Sequence, residues 1–439
     1  MPSASDISPT PQPTPKAVGK DVLRSASHVF TSWPALWIGF VLAHAWIILQ
    51  AWVFEPQILG DVGLYEWWVR NGMSTGSWPV FDYDWVYPLG ALAPMVIPAL
   101  FTDSTHDYDW VWMGLVTVAN AGAVLVLGRA RPRGRVAVWF WLAFLVALGP
   151  IWIGRLDGLL APIILVALLV AARRPALAMA LATAGAWIKI APGAVALALA
   201  ATASGAKGFL RNVVLPGAAV SAVVVGVAVA GGAQDNVLDV FGEQGDRQLQ
   251  VEAVGATPFT MARLWDPSIR VEYDNVIYTY EVQGAQADAV AQALDVALPV
   301  AALLIAALVW WAARRRPDRV GDVLLIGATA ELLALIVFNK VGSPQFIAWI
   351  GPPIAAAIAL GTRSQGTRRT WFLPALGTIV VARLTMEIYP LQYGEFLGGF
   401  PLATTIGALR NVLLVALMIG AIVRLVQVAW SRRAVSRAS

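Results

Sequence analysis

Long apolar runs follow one another along the chain, each closed by charges or by proline and glycine. They fall at about 35–54, 110–128, 136–150, 152–171, 175–187, 188–204, 212–231, 288–311, 321–339, 345–361, 371–388 and 401–428. Crossing a ~30 Å hydrocarbon core takes roughly 20 apolar residues in a helix, which satisfies its own backbone there. The pattern predicts an all-α polytopic integral membrane protein with about twelve transmembrane helices. A further stretch, 87–101, is apolar but short and is broken by Pro88, Pro94 and Pro98; it is expected to be re-entrant or interfacial.

The charges fix the expected topology. Arg129, Arg131, Arg133 and Arg135 form one basic cluster, Arg173 and Arg174 a second, and Lys207 with Arg211 a third. Arg314, Arg315, Arg316 and Arg319 follow, then Arg363, Arg368 and Arg369, and finally Arg432, Arg433 and Arg437. Twelve crossings put every cluster, and both termini, on the cytoplasmic face, as the positive-inside rule asks of a multi-pass cell-membrane protein. Counting 87–101 as a crossing would move the first cluster outside. Residues 1–27, rich in Pro, Ser and Thr, read as a disordered cytoplasmic tail, and 28–439 as a single transmembrane domain. Two long outer loops result, at about 55–109 and 232–287.

Composition agrees. The 439 residues are 58% hydrophobic and only 13% charged, where a soluble domain is about a quarter charged. The net charge of +4 fits cytoplasmic basic clusters better than nucleic-acid binding. With no cysteine and three histidines, disulfides, thiolate metal sites, cysteine nucleophiles and histidine-rich centres drop out.

Several ionisable residues do not fit a plain bundle. Arg155, Lys189, Arg247, Arg263, Arg270 and Lys340 stand singly at the outer ends of predicted helices, where cations are disfavoured. Converging on one point they would suit a phosphate; separately, each would pair with a nearby carboxylate or snorkel. Asp61 and Glu66 follow the first apolar run, and Asp82 with Asp84 form an acidic pair that could meet a metal only with help from substrate oxygens. Arg383 and Glu387 are spaced to pair along one helix. Glu331 and Arg410, at equal depth, are expected to pair between helices, with a proton-relay role for Glu331 as the alternative. His44 reads as a hydrogen-bonded packing residue. Trp33, Trp37, Trp67, Trp68, Trp78, Trp85, Trp110 and Trp112 read as an interfacial belt, some of them able to stack on a sugar ring or a lipid chain.

Local motifs then point to a family. Asp61 with Tyr65 four residues on resembles the Asp-x-x-x-Tyr signature of GT-C-type glycosyltransferases of family 87, the polyprenol-phosphate-sugar-dependent mannosyl- and arabinosyltransferases of actinobacteria. Asp82-Tyr-Asp84-Trp-Val-Tyr87-Pro88 resembles the family's Tyr-Pro-Pro block, with Leu89 in place of the second proline. Lys189-Ile-Ala-Pro192 is similar to its Lys-x-x-Pro block, and Gly154-Arg155-Leu156-Asp157 stands where the family carries Gly-Gln-x-Asn. Arg247-Gln248-Leu-Gln250-Val-Glu252 and Lys340-Val-Gly-Ser-Pro-Gln345 resemble loop motifs of a subgroup.

The resemblance implies inverting transfer of a sugar, mannose ahead of arabinose, from a polyprenyl-phosphate donor on the extracytoplasmic face. The acceptor would be a glycolipid or cell-envelope polysaccharide, with the lipid bilayer as the other partner. Asp61 would be the catalytic base, and Arg155, Lys189, Arg247 and Lys340 the cations for the donor phosphate. Tyr65, Asp84, Tyr87, Asp157, Gln248, Gln250, Glu252 and Gln345 would hold sugar or acceptor. No metal or other cofactor is expected, because the leaving group is a single phosphate on a lipid. Two other classes stay open: a polymerase or ligase using a lipid-diphosphate donor, and a transporter or flippase of lipid-linked sugars.

Overall fold

The computed structural model describes residues 29–233, 236, 242, 247–275, 277–361 and 371–431. The tail 1–27, Arg363, Arg368, Arg369, Arg432, Arg433, Arg437 and part of the second loop lie outside the described residues. In chain order the helices are α1 (Trp33–Phe54), α2 (Gly60–Thr75), α3 (Leu89–Ala99), α4 (Thr105–Arg129), α5 (Gly134–Trp152), α6 (Asp157–Val170) and α7 (Pro175–Ala186). They continue with α8 (Ala191–Thr202), α9 (Gly205–Ala230), α10 (Ala285–Arg315), α11 (Pro317–Val337), α12 (Pro344–Leu360), α13 (Phe372–Leu391) and α14 (Pro401–Trp430).

This is an all-α polytopic membrane protein. Among the described residues, eight helices are long and apolar enough to cross a bilayer: α1, α4, α5, α9, α10, α11, α13 and α14. The other four expected crossings are shorter apolar helices, α6, α7, α8 and α12. Polar and helix-breaking residues cut these four short: Pro150 and Asp157 before and at the start of α6, Lys189 and Pro192 at the tip between α7 and α8, and the Gly342–Ser343–Pro344 turn before α12. Hydrophobic on every side, α6 and α12 have no solvent-facing stripe and are buried at the centre against α4, α5 and each other. Around them, α11 packs on α14, α10 and α8, while α9 packs chiefly on α7 and is exposed along most of its length.

The segment expected to be re-entrant is α3, too short to cross. It packs against α2 and the start of α4, where the Tyr108 hydroxyl donates to the Met95 carbonyl at 2.7 Å. One departure from the all-helical expectation lies in the second loop. Strands β1 (Val271–Asp274) and β2 (Thr279–Val282) form an antiparallel hairpin there. Basic residues gather at one end of the bundle, where Arg129 and Arg135 lie over the Trp33 ring and Arg316 donates to the Ser431 carbonyl at 2.9 Å. The opposite end carries the two long loops and the residues singled out by motif.

Candidate active site

Asp61 lies in the first turn of α2, where the helix dipole favours a carboxylate. Tyr65, Trp68 and Gly72 follow on the same face, so the helix turns an aromatic stripe inward beneath Asp61. Tyr65, 1% exposed, meets Trp112 with ring centroids 5.0 Å apart and Tyr87 edge to face at 6.3 Å. Burial first, then Tyr87 and Asp61, hold the Tyr65 hydroxyl well above its ordinary pKa, so it stays a donor.

The partner of Asp61 comes from across the fold. Gly154, in the link between α5 and α6, approaches the chain before α2 so closely that an added Cβ would lie 2.6 Å from the Ile58 carbonyl. That approach lets Arg155 donate to the Ile58 carbonyl and set its Nε 2.8 Å from Asp61 Oδ2. Tyr389, at the end of α13, lies within electrostatic reach of the same guanidinium. Burial works against the Arg155 charge, but Asp61 and the surrounding tyrosines more than restore it and raise its pKa. The cation side chain is 8% exposed and the Asp61 side chain 35%.

A second pair is built two residues further on. Asp157, at the start of α6, accepts from Lys189 Nζ at 2.8 Å and from Trp349 Nε1 at 2.6 Å, one bond to each oxygen. The ammonium lies over Phe346 at 5.0 Å, Trp349 at 5.9 Å and Tyr87 at 6.0 Å, an aromatic cage around a neutralised cation.

A third group joins the two remaining motif blocks. Gln250 N–H donates to the Lys340 carbonyl at 3.0 Å, and Gly342 N–H returns a bond to Gln250 Oε1 at 3.0 Å. Only a glycine fits at 342, since a Cβ there would lie 2.1 Å from the Ala253 nitrogen. The hairpin closes the arrangement through Val282 N–H to the Leu249 carbonyl at 2.9 Å. Lys340 pairs with Asp295 of α10 at 2.8 Å, and Glu281 accepts from Gln248 N–H at 3.2 Å within electrostatic reach of Arg247 and Lys340. Burial raises the Glu252 carboxyl above the usual range, partly offset by the Tyr393 hydroxyl 2.5 Å away.

Asp61, Tyr65, Tyr87, Arg155, Asp157 and Lys189 thus form one connected group. Arg247, Gln248, Gln250, Glu252 and Lys340 form another. Tyr389 and Tyr393, 4.9 Å apart, link the groups, and so does the 340–349 segment that carries half-buried Gln345. Asp84 is exposed in the first loop, and its neighbour Asp82 caps a turn by accepting from Trp78 N–H at 2.7 Å; the acidic pair does not converge.

Several expectations change. Of the outer cations, Arg155, Lys189 and Lys340 each pair with a carboxylate, the alternative weighed beside a shared phosphate, and Arg263 donates to the Leu397 carbonyl at 2.5 Å. Glu331 and Arg410 do not pair. Arg410 turns toward the second loop, donating to the Glu252 carbonyl and, at 3.0 Å, to Asn411 Oδ1, whereas the fully buried Glu331 carboxyl has no hydrogen-bond partner among the described residues. Trp112 is not at an interface but buried, donating to the Ile153 carbonyl at 3.0 Å, and Trp68 and Trp85 are buried with it. Glu66 pairs with Arg70 at 2.5 Å. The Arg383–Glu387 pair forms, and His44 bonds the Phe40 carbonyl at 3.0 Å. Sequence reasoning missed Asp295, Phe346, Trp349, Tyr389 and Tyr393. Only Asp295 carried a signal, as a lone carboxylate in an apolar helix, the same rule that picked out Lys340.

No family model, curated protein or solved structure matches this chain.

Proposed function

We propose that the protein is a membrane glycosyltransferase of the GT-C type. It moves a sugar, mannose ahead of arabinose, from a polyprenyl-phosphate donor to a glycolipid or cell-envelope glycan on the extracytoplasmic face of the cell membrane, with both termini cytoplasmic. The observation that carries this reading is the asymmetry of the Asp61–Arg155 pair: a carboxylate with an open side, held from behind by a buried guanidinium. That is the arrangement a general base needs, oriented and reachable.

In this reading Asp61 takes the proton of an acceptor hydroxyl as its oxygen attacks C1 of the donor sugar. The bond from C1 to the phosphate oxygen breaks, and the polyprenyl phosphate leaves with the electron pair. Arg155 keeps Asp61 aimed. Lys189, Arg247 and Lys340, which already share carboxylates or lie beside them, are assigned to the growing phosphate charge. Tyr87 and the glutamines 248, 250 and 345 are assigned to sugar hydroxyls. Support comes from the motif order along the chain and from the way separate motifs meet at one end of the bundle.

Reconstituted protein offered a panel of labelled polyprenyl-phosphate sugars tests the proposal. The expected result is a new glycosidic bond formed from a monophosphate donor. Transfer from lipid-diphosphate donors alone would make the protein a polymerase or ligase, and label crossing the bilayer with no new bond would make it a flippase.

A further inference from the structure

The face of α2 turned away from Asp61 has a chemistry of its own. Arg70 lies nine residues after Asp61, about half a turn around the helix at 3.6 residues per turn, and it sits in an open cleft of about 470 Å³. Gly63, Glu66, Trp67, Asn71 and Ser74 line this cleft with it, and Thr105 at the start of α4 closes one side. The Trp67 ring is 58% exposed and has no ring partner among the described residues. By contrast, Trp52 and Trp110, on the same end of the bundle, pack on each other at 4.9 Å and on His106.

Charge selects the ligand class. Glu66 and Arg70 neutralise each other at 2.5 Å, and Arg70 spends a further N–H on the Thr102 carbonyl at 3.2 Å. The cleft is therefore net neutral, which gives no purchase to a phosphate or an anionic headgroup. A lipid tail would offer the cleft's carboxylate, guanidinium, amide and hydroxyl groups no partners. What it offers is a mix of donors and acceptors on carboxylate, guanidinium, amide and hydroxyl groups, beside an open indole face. A sugar ring matches that: its hydroxyls both donate and accept, and its C–H face is apolar. Gly63 leaves the floor open, since a Cβ added there meets nothing within 4 Å.

We propose that this cleft binds a neutral saccharide unit at a site separate from the Asp61 centre. The proposal stands on the cleft alone and does not require that the protein transfer sugar. The test is binding of a panel of neutral oligosaccharides, built from mannose, glucose and arabinose, to the full chain in nanodiscs, read by saturation-transfer NMR and titration. Wild type and Asp61→Asn are expected to bind alike. Trp67→Ala and Gly63→Leu, the second placing a bulky side chain on the cleft floor, are expected to lose about tenfold or more in affinity. Binding by no member of the panel, unchanged binding in both cleft variants, or loss of binding in Asp61→Asn would each overturn the proposal. So would displacement of the saccharide by inorganic phosphate.

Discussion

Two ion pairs stand at the same end of the molecule, two residues apart in sequence on one side, and they are built as opposites. In Lys189–Asp157 the carboxylate is fully buried, both its oxygens are bound, and the ammonium is boxed in by three rings. In Arg155–Asp61 the cation is the buried member and the carboxylate keeps an open side. The first arrangement can tie α6, the α7–α8 tip and the first turns of α12 together, but its carboxylate cannot meet a substrate. The second can. Residue type is the same in both; what separates a strut from a reactive group is which partner the fold leaves uncovered.

The sharpest way to break that contrast is to remove each carboxylate and compare stability. Asp157→Asn leaves an ammonium buried without its counter-charge and should cost about 3–5 kcal/mol in thermal or denaturant unfolding in micelles. Asp61→Asn also strips a buried cation of its counter-charge, but Arg155 keeps its bond to the Ile58 carbonyl and the new amide can turn its N–H groups to the open side, so the cost should be smaller, about 1–3 kcal/mol. Equal costs would erase the distinction. The double variant Asp157→Leu with Lys189→Met, which removes both charges, should regain most of what Asp157→Asn loses.

A smaller effect is expected at the link that delivers Arg155. Gly154→Ala puts a methyl 2.6 Å from the Ile58 carbonyl and should destabilise by about 1–3 kcal/mol, with activity falling as Arg155 shifts off Asp61. The same substitution at Gly63, where nothing is near, should leave stability unchanged or slightly raised, which makes it the control.

The smallest expected effect is on pH dependence in the second group. Burial raises the folded-state pKa of Glu252 above the ordinary carboxylate value of 4.5. The folded protein therefore holds this proton at pH values where the unfolded chain has released it. The Glu252 contribution is fully present below 4.5 and is lost as pH rises through the raised folded value. Glu252→Gln should flatten that part of the stability–pH curve; an unchanged slope would mean that the carboxyl is not held neutral.

Much of the fold is legible in sequence because apolar length and basic clusters are local signals. The eight long spans lie within a few residues of the expected runs, and the proline-rich stretch at 87–101 stays at one end as α3. The hairpin β1–β2 was missed although its signal is in the sequence: Ile269, Val271 and Tyr273 alternate with Arg270, Glu272 and Asp274, and Tyr278, Tyr280 and Val282 with Thr279 and Glu281. Pairing was the hardest part. Asp61, Arg155, Lys189 and Asp157 could each be picked from type and position, but which carboxylate neutralises which cation depends on the close approaches at Gly154 and Gly342. Equal depth along two helices suggested Glu331 with Arg410, yet depth says nothing about rotation around each axis, and Arg410 turns to the Glu252 carbonyl instead. The aromatic cage over Lys189 depends on Phe346 and Trp349, which look in sequence like any interfacial rings.

The central claim is that Asp61 is a base made reachable by the way Arg155 holds it. Its most direct test is sugar transfer by the reconstituted Asp61→Asn variant, supplied with the polyprenyl-phosphate sugar that the wild-type protein uses and checked for normal folding. Loss of a general base should lower turnover by about 10²–10⁴-fold while donor binding holds near its wild-type value. Turnover within a few-fold of wild type would contradict the claim.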